Sequence, residues 1–131
     1  LLSVVGASSP VIGVGICFGG HLVVRAAGAG LLAGVVTWHA SRLESQVDGL
    51  HAISERGIPA RLHFGDADPL VPMTSVDAVR AALGERASES VWVHRGADHG
   101  FSHRTGPTYQ AVAERAGMNA VFDLIRSCTP R

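Results

Sequence analysis

Pro10-Val11-Ile12-Gly13-Val14-Gly15-Ile16-Cys17-Phe18-Gly19-Gly20 decides how the chain is read. Pro10 to Ile16 is short, apolar and partly β-branched, as expected of a strand buried on both faces. Gly19-Gly20 follows, and residues 18–28 then carry Leu22, Val23 and Ala26 on one side of a helix. Cys17 stands at the strand-to-helix turn. Gly15-Ile16-Cys17-Phe18-Gly19 therefore reads as Gly-x-nucleophile-x-Gly, where small residues flank a strained turn that lifts a side chain above a sheet. The Phe18 N–H, at the start of that helix, is the candidate oxyanion donor.

Outward from this stretch the same pattern repeats. Leu31 to Trp38 is a second apolar strand, and a short helix near 47–56 stops at Gly57. Ile58 to Phe64 is a third strand, followed by the turn cluster Gly65-Asp66-Ala67-Asp68-Pro69. Thr74 or Ser75 caps a helix running to Leu83, ended by Gly84. Ser90 to His94 is a fourth strand, and 95–105 is a loop. Residues 107–126 form the longest helix. Strands alternating with helices mean an α/β domain, a parallel sheet and helices on both faces.

Composition narrows the class. The 131 residues carry eleven Arg and no Lys against eleven Asp/Glu, and are 47% hydrophobic. Zero net charge without basic clustering argues against a nucleic-acid surface. One domain fits the length. Cys17 and Cys128 are too few for a disulfide framework, so a reducing, cytoplasmic setting is expected. Residues 1–24 hold no charged side chain, yet Gly6, Gly13, Gly15, Gly19, Gly20 and Pro10 fall within them and no basic region precedes them. That is a buried strand and turn, not a membrane segment or signal peptide.

Ligands gather beyond the carboxyl ends of such strands. There stand Cys17, then His39 and Ser41, then Asp66 and Asp68, then Asp98 and His99. A thiol nucleophile needs an imidazole base, and the imidazole needs a carboxylate. Either aspartate of the third loop can serve. Taken singly, Cys17 is a small buried hydrophobe and His99 a structural histidine. The joint order of nucleophile, acid and histidine, each past its own strand, favours the catalytic reading. A dinucleotide loop fails, because the third glycine of GxGxxG would be Phe18 and no acid lies near 33–38. His21, His51, His63 and His94 have no convergent partners in sequence and read as structural or surface. The seven histidines show no HExxH spacing, so no metal or cofactor is expected.

Three blocks resemble the dienelactone hydrolase family of α/β-hydrolases. Gly13 to Gly20 is similar to its nucleophile motif, with Cys in place of Ser. Phe64-Gly65-Asp66-Ala67-Asp68-Pro69-Leu70-Val71-Pro72 resembles its acid loop, and Ala97-Asp98-His99-Gly100-Phe101 its histidine loop. The resemblance implies an α/β-hydrolase-type three-layer sandwich and a Cys17-Asp68-His99 triad that cleaves small esters or lactones. It selects Asp68 over Asp66. It also implies a substrate pocket near Trp38, His39, Phe101, His103 and Arg104. The family's carboxylate-binding Arg falls four residues after the histidine, where this chain has His103, with Arg104 next. Only Leu1 to Ser9 precede the nucleophile strand, so residues 1–131 are expected to be the C-terminal part of a larger domain, with about four strands present and the early ones missing. The absent initial Met fits. The expected ligand is a small ester or lactone, and the open sheet edge invites self-association. Two alternatives remain: a non-catalytic fragment acting as an interaction piece, and a thioesterase or cysteine peptidase.

Overall fold

The computed structural model describes residues 9–128. The first eight residues of the charge-free segment lie outside them. Four parallel strands pair in the order β1 (Ile12–Ile16), β2 (Gly34–Trp38), β3 (Ala60–Gly65) and β4 (Val91–His94). Ile16 lies opposite Trp38, Trp38 opposite His63, and Gly65 opposite His94, so all four carboxyl ends reach one edge. Helices α1 (Phe18–Gly28), α2 (Val47–Glu55), α3 (Met73–Leu83), α4 (Ala87–Ser90) and α5 (Ala111–Cys128) connect and flank them.

Alternation along the strands divides the core. Val35, Leu62 and Phe64 pack with Val24 and Ala27 of α1, Leu50 and Ile53 of α2, and Val76, Val79 and Leu83 of α3. Val36 and Trp38 point the other way, onto Ala113, Ala120 and Leu124 of α5. The result is the expected three-layer α/β sandwich. β2 is buried at every residue. β1 buries only Gly13 and Gly15 on its α1 side, and Val14 and Ile16 on its α5 side are 42% and 41% exposed.

Boundaries depart from the sequence reading for local reasons. Leu31 does not begin β2. Gly30, at φ 78°, closes α1 with Gly30 N–H to Ala27 O and Leu31 N–H to Ala26 O, a Schellman stop that takes Leu31. Neither Thr74 nor Ser75 caps α3. Pro72 does, extended at ψ 151°, and its carbonyl accepts the Ser75 N–H. α5 starts at Ala111 rather than 107, because the stretch after Pro107 is tied to the histidine loop: Thr108 Oγ1 bonds His99 O, and the Gln110 N–H bonds Phe101 O. The short α4 and the 3-10 turns Leu43–Ser45 and Gly84–Arg86 have no period long enough to be read in sequence.

Candidate active site

The turn after β1 puts Cys17 at φ 51° and ψ −118°, a left-handed φ held by its surroundings. The Cys17 N–H donates to Trp38 O at 3.0 Å, and the Gly20 N–H donates to Cys17 O at 3.0 Å. Glycine is required on both sides. A Cβ on Gly15 would sit 2.5 Å from Gly19 O, and one on Gly20 would collide with the Ala40 methyl. With nothing but hydrogen at these positions, α1 approaches β1 and β2 closely. The Phe18 N–H opens α1, directly after Cys17, among the first-turn donors that have no acceptor within a helix.

Asp68 follows β3. Its side chain is fully buried. Oδ1 accepts the Leu70 N–H at 2.8 Å, and Oδ2 lies 2.8 Å from His99 Nδ1. The other face of the His99 ring puts Nε2 3.2 Å from Cys17 Sγ. The three side chains thus form one line, acid to imidazole to thiol, across residues 17, 68 and 99. The Asp68 contact assigns the proton to Nδ1 and leaves Nε2 as the acceptor facing the thiol.

The loop backbone fixes the ring. The His99 N–H donates to Asp98 Oδ1, and Thr108 Oγ1 donates to His99 O, both at 2.6 Å. Asp66 takes a different part from Asp68. Its Oδ1 accepts the Gly96 N–H at 2.6 Å and so ties the acid loop to the histidine loop.

His39, at the end of β2, is fully buried at φ 38°. Its ring stands edge-on to His99, Phe101 and His103 at centroid distances of 4.8, 5.1 and 5.3 Å. Its Nε2 meets Ser102 Oγ at 2.9 Å, while Nδ1 is buried without a partner among the described residues. Burial first, then the His99 and His103 charges, lower its pKa to about 4 and keep it neutral. Phe101 is fully buried beneath it.

The remaining sequence candidates sit further out. The Trp38 indole lies under α5, with Gly117 making room for it, so Trp38 reaches the site through its carbonyl. The Arg104 guanidinium bonds Glu114 Oε1 at 2.8 Å, and that bond raises its pKa. Its side chain is 72% exposed. Phe18 is 65% exposed and packs its ring on His21 at 5.9 Å.

Sequence reasoning missed the supporting partners Ser102, Thr108 and Glu114. It also missed a half-buried pair, His63 Nδ1 with His94 Nε2 at 2.9 Å. Parallel register alone signals that pair, since His94 stands two residues beyond Trp92, the neighbour of His63.

The model of the dienelactone hydrolase family matches residues 3–129. Among solved structures, a protein of Klebsiella pneumoniae subsp. pneumoniae MGH 78578, assigned to dienelactone hydrolase by name, aligns at a TM-score of 0.65 and 22% identity over 88% of this chain. The chain spans 51% of the length of that structure. No curated protein matches. A family match over nearly every residue, on a four-stranded parallel sheet of the same fold, has one consequence: the chain belongs to the dienelactone hydrolase family.

Proposed function

We propose that the chain carries the catalytic centre of a hydrolase acting on small carboxylic esters or lactones, with Cys17 as nucleophile, His99 as general base and acid, and Asp68 as the carboxylate that orients His99. The observation that carries this reading is the unbroken line from buried Asp68 through His99 to Cys17 Sγ, at 2.8 and 3.2 Å. Family membership supports hydrolysis, and the family's name supports the ester or lactone class.

The chemistry follows from the geometry. His99 Nε2 accepts the thiol proton as Cys17 Sγ bonds to the substrate carbonyl carbon. Charge that collects on the carbonyl oxygen meets the Phe18 N–H. The C–O bond then breaks, and the imidazolium returns its proton to the leaving alkoxide. In a lactone that alkoxide stays tethered. Water next gives a proton to His99 and its oxygen to the thioester carbon, Cys17 departs as thiolate, and the acid is released. Asp68 keeps its charge throughout and stabilises the imidazolium.

Because Arg104 is engaged by Glu114, the reading favours a neutral small ester over an anionic lactone. The ring cluster of His39, Phe101 and His103 is the proposed wall of the pocket. Both cysteines are free, which suits a reducing compartment such as the cytoplasm. Among the described residues no helix is long and apolar enough to cross a membrane. One observation favours a second reading, a non-catalytic piece: the chain spans 51% of the length of its structural neighbour.

Hydrolysis of p-nitrophenyl acetate separates the two. Cys17→Ala and His99→Ala are expected to lower the enzyme-dependent rate by ~10²-fold or more, and Asp68→Asn by a lesser factor. A rate unchanged in both Cys17→Ala and His99→Ala would overturn the catalytic reading.

A further inference from the structure

The Cys17 sulfur, one ring nitrogen of His39 and one of His99 lie within 4.8 Å of one another. We infer that these three residues form a site for a single tetrahedral divalent cation, Zn2+, whose binding occupies the nucleophile and the base together. The inference shares the placement of Cys17 and His99 with the catalytic reading above, but it needs no turnover.

The donor set suits the ion. One thiolate and two imidazoles are borderline-soft ligands of the kind zinc prefers, and three protein ligands leave a fourth position for water. A zinc ion holds sulfur at about 2.3 Å and nitrogen at about 2.0 Å, which puts ligand atoms ~3.5 Å apart around a tetrahedron. Cys17 Sγ and His99 Nε2 are already 3.2 Å apart. The spread of 4.8 Å closes with a small movement of one ring.

The surroundings support the ligands as well. His99 gives its other nitrogen, Nδ1, to the buried Asp68 carboxylate at 2.8 Å. That carboxylate–histidine arrangement orients metal-bound imidazoles and raises their basicity. His39 is fully buried, its ring is fixed by Ser102, and its Nδ1 has no partner among the described residues. A buried polar atom left without a partner is costly, and a ligand removes the cost. On binding, the Cys17 thiol gives its proton to solvent as the S–Zn bond forms. No electron transfer is involved. No short spacing in the sequence links Cys17, His39 and His99, because the three come from separate strand ends.

Zn2+ alone is the probe. On the 131-residue chain, the rate of Cys17 alkylation by iodoacetamide, followed by peptide mapping to separate Cys128, is expected to fall at least tenfold on adding Zn2+, to recover with EDTA, and to ignore Mg2+. His39→Gln is expected to raise the Zn2+ concentration for half-protection tenfold or more. Co2+ bound to the unaltered chain is expected to give a thiolate charge-transfer band and the intense visible bands of a tetrahedral site, so the test does not depend on the variant folding. No protection by Zn2+ and no such Co2+ spectrum would overturn the inference. Equal protection in a folded His39→Gln chain would overturn the three-ligand site. A chain that hydrolyses nothing yet shows the Co2+ bands would keep this inference and contradict the catalytic one.

Discussion

At the scale of the residue, the site depends on atoms that are missing as much as on those present. Gly15 and Gly20 let α1 close on the sheet, and Cys17 takes a left-handed φ that only this packing holds. Gly15→Ala is expected to cost about 1–3 kcal/mol, because its methyl meets the backbone of Gly19 rather than a side chain that can turn away. Urea unfolding checks this. That Cys17, Asp68 and His99 could meet was legible, because each sits in a short local motif past a strand end. Asp68 and Asp66 were not separable by chemistry alone. The structure separates them by hydrogen bonding: one faces His99 and the other braces Gly96. Ser102, Thr108 and Glu114 were not legible. They act by reaching other loops or helices, and no spacing announces that.

At the scale of the element, types were legible and ends were not. The strands are near-continuous apolar runs between turn residues, so their existence follows from composition. Their ends follow from hydrogen bonds between loops, as at Leu31 and at Thr108. Helix α5 shows how packing overrides propensity. Gly117 lies in its interior, where Ala would gain about 1 kcal/mol of intrinsic helix preference. Yet a Cβ at Gly117 would collide with the Trp38 indole. Overpacking of that kind costs about 1–3 kcal/mol, so Gly117→Ala is expected to be net destabilising, read as a lowered urea midpoint with an unchanged slope. A higher midpoint would show that α5 shifts freely. Leu50→Ala on α2, fully buried beneath the sheet, is expected to cost about 2–5 kcal/mol by the same assay.

At the scale of the whole molecule, two properties stand out. Stability should depend on pH through buried neutral histidine. Burial first, then His94 and Arg61, lower the His63 pKa from 6.5 to about 3. Its stabilising contribution is full above pH 6.5, where both folded and unfolded forms are neutral. It is lost as pH falls from 6.5 toward 3, because only the unfolded chain takes up the proton. His63→Gln is expected to shrink the stability difference between about pH 7 and pH 4, measured by urea unfolding at each pH. The second property is the edge. β1 pairs with β2 alone among the described residues, and Val14 and Ile16 stand exposed beside it. Such an edge invites association. Val14→Lys with Ile16→Lys is expected to raise the monomer fraction in sedimentation velocity. The three-layer order was legible from alternating strands and helices, while the His63–His94 pair appeared only once register was known. The catalytic proposal rests on one line of contacts, and trapping its intermediate tests it most directly. The chain is quenched in acid shortly after mixing with p-nitrophenyl acetate, and its peptides are mapped by mass. The account predicts an acetyl group on Cys17, absent in Cys17→Ala and formed much more slowly in His99→Ala; acetylation on Cys128 or on scattered residues, with Cys17 unmodified, would contradict it.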